Sequence, residues 1–186
     1  LYIMSYSTQN SLLLHNLLQF YNDKVTYLDY MLNIINGESK ISLRIVDWFA
    51  TNYAKKHYTV YDTDNSTARF KVYNDYKLKL KAYSKKRFDP FCRWERICIP
   101  YKDGNSIQTT IGQLNFFKWA IENGVLDYIE KNYETIENDM NCRNSNSKKN
   151  ERSISDNKTR KKREELSLLA SKSIKREDVE ITMSFS

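Results

Sequence analysis

Only four glycines and two prolines punctuate the 186 residues, and this scarcity limits how many tight turns the chain can make. Sandwiches and barrels of many short strands need Gly and Pro at their turns, whereas helices exclude both from their interiors. The expected fold is therefore mainly helical α+β, a single domain with a small β-hairpin or sheet and a flexible, basic C-terminal arm. Hydrophobic residues make up 40% of the chain and aromatics 13%, which is enough apolar surface to offset the entropy of ordering one body. The reading divides the chain into a disordered N-terminus at 1–10, a globular domain at 11–140, a flexible linker at 141–159 and a docking arm at 160–186.

Apolar residues including Leu13, Leu17, Leu28, Met31, Leu32 and Ile35 recur at three- and four-residue steps from Ser11 to Ile35, as an amphipathic helix or helix pair requires. Asn36-Gly37 ends that run. A second helix spans Ile41 to Lys56, with Ile45, Trp48, Phe49 and Tyr53 on one side and Ser39 as its cap. Residues 58–68 form a short β-prone piece and a polar turn. Arg96 to Tyr101 and Ser106 to Ile111 are β-prone runs around Asp103-Gly104, a hairpin signal. A helix capped near Thr110 follows, stopped at Asn123-Gly124, with another from Val125 to about Glu137. The polar run from Asn141 to Thr159 reads as the linker. Beyond it come a short helical stretch and a terminal strand in which Val179, Ile181, Met183 and Phe185 share one face.

Cys92, Cys98 and Cys142 form neither a disulfide framework nor a zinc spacing, so the chain is expected in an intracellular, reduced compartment. His15 and His57 stand at no ligand spacing, and no metal or other cofactor is expected. The N-terminal run is broken by His15 and Asn16 and lacks a basic start, which argues against a signal peptide or membrane insertion. Leu1 in place of Met is read as a fragment or as a frame whose true start is Met4. No Ser/His/Asp, Cys/His, P-loop or dinucleotide pattern occurs, so the chain is read as no enzyme.

The strongest chemical signal is the segment RFKVYNDYKLKLKAYSKKR, residues 69–87, where eight Lys/Arg face one acid, Asp75, for a net +7. Residues 1–140 hold eighteen Lys/Arg against sixteen Asp/Glu, net +2, so the body outside the block is net −5. Val72, Tyr73, Tyr76, Leu80 and Tyr83 fit a helix, whereas Tyr76, Leu78, Leu80 and Ala82 alternate like a strand. The helix is preferred because it gathers the apolar side chains on one stripe and leaves Lys71, Lys77, Lys81 and Lys85 in solvent. In the functional reading Lys71, Lys77, Lys79, Lys81, Lys85, Lys86 and Arg87 contact phosphate while Tyr76 and Tyr83 stack on bases. The plain alternative is a solvated helix face whose tyrosines point into the core. In the nearby run Phe88 to Arg96, Arg93 and Arg96 are phosphate contacts and Trp94 a stacking ring, or else Asp89-Pro90 starts a turn and the aromatics are core. Thr159 to Arg163 is a second cationic cluster. Asp62-Thr63-Asp64 is read as a polar turn in preference to a cation site. Ala120 to Val125 resembles the turn of a helix-turn-helix, but acids crowd the following helix, so an ordinary corner is expected.

The segments ISLRIVDWFATNYAKKH, FKVYNDYKLKLKAYSKKRFDPFCRWERI and TIGQLNFFKWAIENGVLDYI resemble an uncharacterised protein family of large double-stranded DNA viruses of the mimivirus kind. The likeness covers about residues 39–140, with RKKREEL in the tail, and carries over no catalytic residue. It implies a viral factory in the host cytoplasm, the host nucleus or the virion. The function expected is nucleic-acid binding with little sequence preference. The alternative is a virion-structural or assembly protein that self-associates or binds a viral partner by pairing its acidic helix, 125–139, with the basic block.

Overall fold

Lys24, with non-helical backbone (φ −139°, ψ 75°), divides the first amphipathic run into a pair, α1 (Gln9–Asp23) and α2 (Val25–Asn36). The computed structural model describes residues 9–63, 69–93, 95–151 and 176–177. Gly37 ends α2 in the left-handed conformation, φ 77°, and its N–H caps the helix carbonyls of Asn33 and Ile34. Ser42, not Ser39, caps α3 (Leu43–Trp48), its hydroxyl accepting from Ile45 N at 3.3 Å. Ser39 lies too early for that and accepts from Ile41 N instead. A π-helical turn, Phe49–Tyr53, and α4 (Ala54–Lys56) continue α3, with Phe49, Ala50 and Tyr53 all buried.

Strands β1 (Val60–Tyr61) and β2 (Phe70–Lys71) pair antiparallel and lead into α5 (Val72–Phe88). The expected hairpin forms as β3 (Arg96–Pro100) and β4 (Ser106–Thr110), in register from Arg96 opposite Thr110 to Pro100 opposite Ser106. Gly104 takes φ 76° in the turn. Thr110 then caps α6 (Ile111–Glu122), accepting from Gln113 N at 3.1 Å.

Helix α6 is the centre of the core. Leu114, Phe116, Phe117 and Ala120 are fully buried and Trp119 is 3% exposed, so the helix is apolar nearly all round. Val72, Tyr76 and Phe88 of α5 pack on one side of it, and Leu17 and Tyr21 of α1 on another, with the Tyr21 hydroxyl donating to Leu114 O at 2.8 Å. Gly124 (φ 63°) turns the chain into α7 (Val125–Lys131), and α8 (Tyr133–Glu151) follows.

The helix continues through 141–151, where a linker is expected. No Gly or Pro interrupts it, and Arg143 is held against the body, its guanidinium 5.5 Å from the Trp48 ring and 3.3 Å from Asn52 Oδ1. Strand β5 (Arg176–Glu177) pairs antiparallel with β4, so part of the arm docks on its own chain. The arm's short helix, the cluster 159–163 and the strand expected at 179–185 lie outside the described residues, as do residues 1–8. The architecture is mainly helical α+β. Among the described residues no helix is long and apolar enough to cross a membrane.

Candidate nucleic-acid interface

Helix α5 sorts its side chains as its period requires. Val72 and Tyr76 are buried and Tyr73, Leu80 and Tyr83 partly so, while Lys77, Lys81, Lys85 and Lys86 are exposed, as is Lys71 at the N-cap. Lys79 and Arg87 are partly buried. At about 100° per residue, Lys77 and Lys81 share one strip, whereas Lys79 lies on the opposite margin of the apolar stripe. The cations thus wrap the exposed side of the helix instead of converging on one spot. Among the described residues none of the ammonium groups of Lys71, Lys77, Lys79, Lys81 and Lys85 has a carboxylate partner. Asp75, the one acid in the segment, is taken by the Trp119 indole, which donates to it at 2.7 Å.

Tyr76 is not available for stacking. Its ring is 8% exposed and packs against Phe88, Phe116 and Trp119, and burial, followed by the charges of Asp47 and Asp89, raises its phenol pKa. The helical period points it into α6, which sequence alone could not place opposite. Tyr83 keeps part of its surface, with one ring face on Phe88 at 6.0 Å and an interplanar angle of 22°. Ser84 breaks the helix after it, with φ 65° and ψ 167°, a backbone region that residues other than glycine occupy only under strain.

The run after α5 is mainly structural. Phe88 and Pro90 are buried, Phe91 packs on the core, and Asp89 Oδ1 accepts from Phe91 N at 2.9 Å in a local turn. Arg93 and Arg96 are exposed, and Arg96 donates to Gln108 Oε1 at 2.9 Å. Trp94 lies outside the described residues. Asp47 approaches this turn, and burial together with the charge of Asp89 pushes its carboxyl up to about 7. Asp62 faces Arg69 at 3.8 Å, and no group of three metal-ligating side chains occurs among the described residues.

The acids of the C-terminal helices are partly engaged by the body. Asp139 accepts from Lys56 and from Trp48 Nε1, and Glu130 from the Tyr30 hydroxyl. Burial works to raise Asp139, but these hydrogen bonds and the Lys56 charge outweigh it and hold its pKa low.

Two clefts adjoin the end of α5. One, of about 430 Å³, is lined by Tyr83, by Asn16, Phe20 and Asp23 of α1 and by Asn115 and Lys118 of α6. The other, of about 130 Å³, has Asn10, Ser84, Lys86, Arg87, Glu95 and Ile111 on its walls. Sequence reasoning missed the α1 and α6 members, because nothing local signals that chain segments about a hundred residues apart will meet.

The comparisons with known proteins agree with the likeness read from the three segments. The chain is 45% identical over 129 residues to an uncharacterised protein of Acanthamoeba polyphaga mimivirus, a match covering 66% of this chain and 50% of that protein. It therefore spans about half the length of that relative. No solved structure matches significantly. A family model described as a family of unknown function, DUF7197, matches residues 4–186, and the chain belongs to that family, which is represented among the giant viruses.

Proposed function

We propose that this protein is a non-enzymatic viral protein that binds nucleic acid with little sequence preference through the exposed side of α5. The observation that carries the reading is the set of five ammonium groups, on Lys71, Lys77, Lys79, Lys81 and Lys85, with no carboxylate partner among the described residues. They stand on a body that is net acidic elsewhere. Because the lysines wrap the helix and are not aimed at one point, they suit a strand of phosphates followed by charge and not by base sequence. Lys86, Arg87, Arg93 and Arg96 extend the positive surface. The giant-virus family suggests a viral factory, the host nucleus or the virion as the setting.

Fluorescence anisotropy with a labelled single strand at two ionic strengths tests this. Five phosphate contacts at a slope of roughly −0.7 each predict about a 100-fold loss of affinity between about 50 and 200 mM salt. The triple variant Lys77→Ala, Lys81→Ala, Lys85→Ala should flatten the log–log slope by roughly 2. A salt-independent response, or no binding at low salt, rejects the proposal. A salt-sensitive dimer without affinity for DNA or RNA would favour self-association in its place.

A further inference from the structure

The two clefts at the end of α5 are consecutive stretches of one seam. Asn10 and Leu13, one helical turn apart on α1, line the smaller and the larger cleft respectively, as do Ile111 and Asn115 on α6 and the adjacent residues Ser84 and Tyr83 on α5. Along α1 the lining of the larger cleft begins at Leu13, about 4.5 Å of helical rise beyond Asn10. Asn115 ties the seam together, its amide donating to Arg87 O at 2.9 Å.

The larger stretch offers what a nucleobase needs. Tyr83 presents a ring that Phe88 backs on one face, and among the described residues no other ring lies on it. Phe20 is excluded as a stacking surface because the Lys118 ammonium sits 4.4 Å from its centroid and Tyr27 stacks on it at 5.5 Å. Around Tyr83 stand the amides of Asn16, Gln19 and Asn115 and the carboxylate of Asp23, acceptors and donors suited to the polar edge of a base. The smaller stretch brings two cations, Lys86 and Arg87, against one acid, Glu95. On its wall the Asn10 amide donates to Glu95 Oε2 at 3.5 Å, which engages the one acid of that stretch. The break at Ser84 sets these functions side by side, leaving Tyr83 on the helix and sending Lys86 and Arg87 along the next stretch.

We infer that this seam is a single-nucleotide seat, which stacks one unpaired base of a bound strand on Tyr83 and holds the adjoining sugar-phosphate at Lys86 and Arg87. The inference rests on the nucleic-acid reading and specifies its strand as single, since a base in a duplex cannot reach the cleft without leaving its stack.

The test compares a labelled oligodeoxyadenylate with an abasic strand of equal length and charge. The wild-type protein should bind the base-bearing strand roughly 5- to 160-fold more tightly, the range for one stacked base. Tyr83→Phe should keep that preference, and Tyr83→Leu should bring both strands to the abasic affinity. Photo-crosslinking of a strand carrying 5-iodouracil, mapped by mass spectrometry on the unaltered protein, should label Tyr83 and needs no variant to fold. Equal affinity for both strands overturns the seat but leaves the charge-based reading standing. A base preference that survives Tyr83→Leu, or a crosslink confined to another element, also overturns it. Absence of binding to either strand at low salt removes the seat and the proposed function together.

Discussion

Among the described residues, Ser84 is the one whose backbone departs from the helix that contains it. With φ 65° and ψ 167°, its Cβ is held in a region that costs on the order of 1–3 kcal/mol for any residue but glycine. Ser84→Gly should relieve that cost, less the entropy a glycine loses on folding. The expected net gain is about 1 kcal/mol, read as a rise in Tm of about 2–4 °C for a chain of this size. A melting temperature that stays level or falls would show that the serine is unstrained there. Tyr76 and Tyr83 differ at the same scale. Both lie on the apolar stripe legible in the sequence, yet Tyr76 meets Phe116 and Trp119 while Tyr83 reaches the edge of α6. Helical period places both on the same side; only the length and position of the neighbouring helix decides which one is sealed.

At the scale of elements, the end of α5 rests on the beginning of α6 through Gly112. A Cβ added there would stand 2.8 Å from Asp89 O and 3.2 Å from Lys86 O, both backbone atoms with little freedom to retreat. Gly112→Ala is therefore expected to destabilise by about 1–3 kcal/mol, the range for forced overpacking, and chemical denaturation should show a lower midpoint with an unchanged slope. An unaffected midpoint would mean that the two helices can part without cost. Much at this scale was legible beforehand. The turns at Gly37, Gly104 and Gly124, the Thr110 cap and the hairpin all follow from short-range chemistry. The continuation of α8 past residue 140 was not, because the polarity of residues 141–151 suggests a linker. Contact between Arg143 and Trp48, nearly a hundred positions apart, holds part of that stretch against the body.

Over the whole molecule, stability should depend on pH through two carboxylates with opposite signs. Asp47, pushed up to about 7 by burial and then by Asp89, keeps a proton in the folded state that the unfolded chain releases near its ordinary value of 3.8. Its effect is a loss of stability as pH rises from about 4 to about 7. Asp139 is held below 3.8 in the folded state, so its contribution is present above the ordinary carboxylate range and is lost as pH falls below it. Asp47→Asn should remove the loss between pH 4 and 7 while leaving the acid limb in place, which thermal melts across pH 3–8 would record; parallel curves for the two proteins would refute the assignment. The sequence by itself determined the helical content, the net charge and its concentration in residues 69–87, because period, turn chemistry and charge are properties of neighbours along the chain. Only the tertiary structure decided which aromatic rings face solvent and that α1 and α6 flank the end of α5. Burial and cleft formation depend on which distant segments meet, and no local pattern encodes that meeting.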